Sequence, residues 1–146
     1  MRKAMIRKVS AFLLLAAVFC FAGGAEAVKR TYGPLEVDVP NGWKVEETDD
    51  QLTFTAPDSS AALTIVVEIL KGTTMKEVAE DMSRQLKGDA PTSVDGWYGF
   101  TFRNEHGIDC DTVVVGDEET GFYMVMMKAG DHPQMDGLIN SIEWKE

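Results

Sequence analysis

Outside the first 27 residues, two histidines, one cysteine and a group of methionines carry the most chemistry. His106 and Cys110 stand four apart, with Asp109 and Asp111 on either side of the cysteine. An imidazole and a thiolate at that spacing could serve a metal such as Zn²⁺ or Cu(I). However, His106 falls in the turn Asn104-Glu-His-Gly107, whereas Cys110 alternates with Ile108, Thr112 and Val114 on the core side of a strand. A buried free cysteine there behaves as a small hydrophobe. Met124, Met126 and Met127, with His132 beyond, offer thioethers that suit Cu(I). In a strand Met124 and Met126 share one face and Met127 takes the other, a pattern of core filling. Ser59 and Ser60 have no histidine near them in sequence, and no HExxH, nucleophile elbow, P-loop or GxGxxG is present. The acidic turns Glu46-Glu47, Asp49-Asp50 and Asp117-Glu118-Glu119 lack the twelve-residue calcium-loop pattern and read as solvated surface. The expectation is a chain that is not an enzyme, with no catalytic, cofactor-binding or metal-ligating residue and no cofactor.

The first segment is expected to address the chain for export. Arg2, Lys3, Arg7 and Lys8 precede an unbroken apolar run from Ala11 to Ala22, and Ala25-Glu-Ala27 places small residues where a signal peptidase reads. That run of 12 residues is short of the roughly 20 that a spanning helix needs. Cys20 follows Phe19, whereas lipid-attachment signals want a small residue at that place, so anchoring through Cys20 is not expected. Residues 1–27 are read as a secretory signal and 28–146 as a single domain, in the bacterial periplasm or secreted. Losing 27 residues, four of them basic and one acidic, moves the net charge from −10 to −13. Such a balance argues against nucleic acid as a partner, because phosphate binding needs a basic patch. Cys110 is then left alone, so the domain must be held by its core rather than by a disulfide.

The elements that would position these residues follow from periodicity. Leu35-Glu-Val-Asp-Val39 alternates as a half-buried strand, and Asn41-Gly42 before Trp43-Lys-Val-Glu46 predicts a hairpin turn. Leu52–Ala56 alternates as well, and Ala61–Leu70 is β-branched and apolar on both faces, as an interior strand is. Thr74-Met-Lys-Glu77 is a capping box, followed by the stripe Met75, Val78, Ala79, Met82 and Leu86 and by Gly88 as the expected left-handed cap. Strands are expected over 97–102, 108–115 and 122–127. A last helix is expected with Asp131 as N-cap and Met135, Leu138, Ile139 and Ile142 inward, and Trp144 in a short closing strand. Short links force antiparallel pairing, and strands apolar on both faces need a layer on each. The fold class is therefore α+β, an antiparallel β-sheet flanked by α-helices on both faces.

The stretch Leu35-Glu-Val-Asp-Val-Pro-Asn-Gly-Trp43 resembles the opening of the PsbP/DcrB-like family, in which a strand runs into a Pro-x-Gly-Trp turn. The end, Leu138-Ile-Asn-Ser-Ile142, is similar to that family's terminal helix and Ser-Ile pair, so the resemblance covers roughly residues 33–145. It implies a helix–sheet–helix sandwich, an exported or lumenal setting, and accessory or binding roles without catalysis. It assigns no partner-binding residue, because the shared motifs are turn and core positions. The expected function is an exported, non-enzymatic binding protein whose partner is another protein or a cell-envelope component. A periplasmic copper chaperone using Met and His ligands and a small hydrolase are the rival readings.

Overall fold

The computed structural model describes residues 27–144, so residues 1–26 of the expected signal segment lie outside the described residues. The class is the expected α+β, with antiparallel strands and, among the described residues, two helices, but the strands divide between two sheets. The described residues form two compact units, one from the chain up to Trp43 and from Asp131 onward, the other Lys44–Gly130.

The first unit holds β1 (Ala27–Tyr32), β2 (Leu35–Pro40), α2 (Met135–Asn140) and β10 (Glu143–Trp144). Its sheet runs β1-β2-β10, antiparallel throughout. β1, which the sequence reading left out, is joined to β2 by the two-residue turn Gly33-Pro34. The pair Tyr32↔Leu35 closes that hairpin, with Gly33 at φ 54. Glycine at the first central position is what a type II′ hairpin turn requires. The hairpin expected at Asn41-Gly42 is absent: β2 does not pair with the strand that follows it. Trp43 N–H still donates to the Pro40 carbonyl, but only Gly42 has a positive φ (87), as in a type II turn. A hairpin turn of type I′ would need positive φ at Asn41 as well.

The second unit holds β3 (Lys44–Glu47), β4 (Gln51–Thr55), β5 (Ala61–Ile69), α1 (Met75–Leu86), β6 (Thr92–Val94), β7 (Trp97–Arg103), β8 (Asp109–Asp117) and β9 (Phe122–Gly130). Its seven strands lie in the order β3-β4-β5-β9-β8-β7-β6. The register sets Ile65 and Val113 on either side of Met126, and Val67 and Val115 on either side of Met124. Phe54, Leu63, Ile65, Val114, Val115 and Val125 are buried, the centre of this sheet's apolar content.

α1 begins with the expected capping box. Glu77 N–H donates to Thr74 Oγ1, and the Glu77 carboxylate accepts from Thr74 N–H and from the Thr73 hydroxyl. The Thr73 hydroxyl, more than the Thr74 backbone bond, holds the Glu77 carboxyl below its ordinary range. The helix buries Met75, Ala79 and Ser83 and lies against β7 and β8. Its left-handed cap is Lys87 (φ 56), one residue before the expected Gly88. Gly88 is required for a different reason. A Cβ there would stand 3.0 Å from Phe100 Cδ2 and 3.0 Å from the Thr101 carbonyl oxygen. The chain leaving the helix therefore passes against β7, where Asp89 N–H donates to the Thr101 carbonyl and Thr101 N–H to the Asp89 carboxylate.

α2 is shorter than the sequence suggests. Its N-cap is Gln134, not Asp131, because Met135 N–H turns back to the His132 carbonyl and His132 Nδ1 accepts from Gln134 N–H. Ile142 lies past the helix end and is still buried. Among the described residues no helix is long and apolar enough to cross a membrane.

Gly88→Ala is expected to lower stability by about 1–3 kcal/mol, the usual range for overpacking. A urea melt against the parent chain measures it, and an unchanged midpoint would show that β7 can give way.

Candidate functional site

Cys110 lies on β8 opposite Phe102 of β7 and Ala129 of β9, and it is buried and unpaired. Burial pushes its thiol pKa up, with the charges of Asp111 and then Asp109 adding to the effect, so the thiolate that a metal needs is disfavoured. His106 sits in the turn between β7 and β8 with its side chain 74% exposed, 3.6 Å from the Glu105 carboxylate. The two do not converge, since one ring stands in water and one sulfur in the core. Ile108, expected inward beside Cys110, is 42% exposed. It precedes the first residue of β8, where the alternation has not begun.

Met124 and Met126 are buried on one face of β9, while Met127, on the other face, is half-buried. Among the described residues no group of three or more His, Cys, Asp or Glu side chains is placed to hold a metal ion. Ser59 and Ser60 are exposed, and neither hydroxyl is bonded to a histidine among the described residues. The acidic residues of β3 and the turn after it are exposed as expected, but Asp117 is not surface. It is buried at the end of β8, with one carboxylate oxygen accepting from Glu119 N–H. Glu118, next to it, accepts from Met75 N–H at the start of α1, where a negative charge is favoured. This turn therefore secures the helix instead of merely solvating the surface. The sequence reading took its three carboxylates as one run, and only the β8–β9 register separates the inward one.

The polar constellation that the structure does assemble lies in the first unit, around Trp43. Its ring is buried, its Nε1–H donates to Gln134 Oε1 at 2.8 Å, and the His132 ring meets it edge-on at 5.2 Å between centroids. His132 Nδ1 is already engaged by the Gln134 N–H at 3.1 Å. Close by in the chain, Ser141 Oγ accepts from Asp38 N–H at 2.9 Å and donates to the Leu138 carbonyl at 2.7 Å. The two stretches that resemble the PsbP/DcrB-like family are thus bonded to each other. Strand and Trp turn come from the beginning, helix and Ser-Ile pair from the end. Sequence reasoning missed Gln134. The only signal for it is that a buried indole N–H needs an acceptor, and that demand does not say where in the chain the acceptor stands.

Comparison with known proteins agrees at the level of fold. No family model matches the sequence, and no curated relative does. The solution structure of cyanobacterial PsbP (CyanoP) from Synechocystis sp. PCC 6803 is similar at 12% identity and TM-score 0.52, over 82% of this chain and 93% of that one. A crystal structure from Bacteroides thetaiotaomicron VPI-5482 is similar at 12% identity and TM-score 0.49, over 83% of this chain and 49% of that one. The chain thus spans about half that protein's length. A point mutant of protein Mog1 is similar at 10% identity and TM-score 0.48, over 80% of this chain and 87% of that one. The chain has a PsbP-like fold.

Trp43→Ala removes a buried ring and leaves the Gln134 amide without its partner. A loss of about 3–5 kcal/mol is expected, measured by chemical unfolding. An unchanged midpoint would mean that the ring is not part of the folded core.

Proposed function

We propose that the protein is an exported, non-enzymatic accessory or binding protein. The observation that carries this reading is the fate of the side chains with chemistry in them. Cys110 is buried with its thiolate disfavoured, and Met124 and Met126 fill the sheet. The Nδ1 lone pair of His132 is taken by the backbone. The PsbP-like fold supports the same reading through the resemblance to a family of accessory and binding proteins, although fold alone does not fix function. The partner is a protein or cell-envelope component, and the negative balance of the chain disfavours nucleic acid.

Export rests on the basic, apolar and small-residue layout of the first 27 residues. Cleavage after Ala27 would remove one residue of β1 and leave Val28–Tyr32 to pair with β2. N-terminal sequencing and intact mass of protein recovered outside the cytoplasm are expected to give a mature chain beginning at Val28. A start at a lipid-modified Cys20, or an unprocessed cytoplasmic chain, would contradict the proposal.

A further inference from the structure

The three-stranded sheet leaves one long side of β1 without a strand neighbour among the described residues. β1 pairs with β2 over all six residues without a bulge, and Ala27–Thr31 are exposed, Val28 at 56%. The other strands at sheet edges are shorter: β3 has 4 residues, β6 has 3 and β10 has 2. An open, regular edge is a template for another strand, and proteins ordinarily blunt it with charge, proline or a bulge.

Here the guarding charges have one sign. The centre of β1 is Lys29-Arg30 and the strand holds no carboxylate, in a chain of net charge −10. Successive side chains alternate, so one cation stands on each face of any strand laid alongside. Lys29 lies 3.3 Å from Glu36 of β2, whereas Arg30 takes part in none of the ion pairs among the described residues. A second copy pairing antiparallel through β1 would set these cations against their equivalents, and like charges directly opposed are destabilising. An acidic strand meets the opposite situation.

We propose that the outer edge of β1 takes an extended, carboxylate-bearing segment of another protein as a fourth strand. Main-chain hydrogen bonds supply the attraction common to strand addition, and Lys29 and Arg30 select acidic side chains on both faces. The acidic body does not forbid this, because exposed charges beyond about 8 Å are largely screened at physiological salt. The inference rests on the accessory reading above and deepens it by naming the kind of partner.

The test uses the full purified chain and two labelled eight-residue peptides, one with a central Glu-Glu pair among valines and one with a central Lys-Lys pair, so that the charges fall on both faces of the added strand. Fluorescence anisotropy is expected to show the glutamate peptide binding about tenfold more tightly, from two or more opposed charge pairs. Hydrogen exchange is expected to place the new protection on residues 27–32. Arg30→Glu, a change at an exposed position, is expected to weaken the glutamate peptide about fivefold, with the urea midpoint unchanged. Equal or reversed peptide preference, no binding, protection elsewhere, or a dimer formed through β1 would each overturn the proposal. A natural partner captured equally well by wild type and Arg30→Glu would overturn the edge while leaving the accessory reading intact. Peptide binding by a chain that is never exported would do the reverse.

Discussion

Beyond the two residues of β10, strand β2 has no strand neighbour on that side among the described residues, yet its backbone at Asp38 still needs a partner. The hydroxyl of Ser141 supplies it. Continuing the β10 register would set Ser141 itself opposite Asp38, and there its Oγ, in place of a strand carbonyl, accepts from Asp38 N–H and lies 3.4 Å from the Asp38 carbonyl oxygen. The same oxygen donates to Leu138 at the end of α2, so helix and strand share one atom. An unpaired part-buried amide costs about 1–3 kcal/mol, a large share of the stability of a small unit. The bond also fastens the end of α2 to the strand. Six residues of helix without a side-chain cap and with Gly137 inside are not stable alone.

The Trp43–Gln134 hydrogen bond acts beside it to the same end. The two bonds tie positions 103 and 91 residues apart in sequence, so the beginning and end of the described chain form one unit while Lys44–Gly130 forms the other. This arrangement brings the two stretches resembling the PsbP/DcrB-like family together through the Asp38 amide and the Ser141 hydroxyl. It also leaves β1 as the outermost strand of the small sheet, its outer side unmatched by any other strand among the described residues.

What could be read from the sequence was local. The Thr74–Glu77 box closes within one turn of helix, so sequence alone placed the start of α1. The interior position of the Ala61–Ile69 strand followed from its composition. The errors arose where a distant contact decides between local options. Gly88 looked like a cap but is kept small by Phe100 and Thr101. Asn41-Gly42 looked like a hairpin, but Trp43 is held by Gln134 and the following residues pair with β4 instead. β1 is not legible because its centre is charged and it adjoins the expected signal segment, so no alternation marks it. The burial of Asp117 is not legible, because inward and outward carboxylates are identical in sequence. The buried Cys110 and the shared face of Met124 and Met126 were legible, since strand alternation alone places them.

Along β2 the Ser141 hydroxyl thus takes the place of the carbonyl that a longer β10 would offer to Asp38. Native-state hydrogen exchange of the Asp38 amide in Ser141→Ala, compared with the parent chain, measures this most directly. The account predicts that Asp38 loses protection more than the other amides of β2, with global stability lower by about 1–3 kcal/mol. Unchanged protection at Asp38, with the chain equally stable, would contradict it.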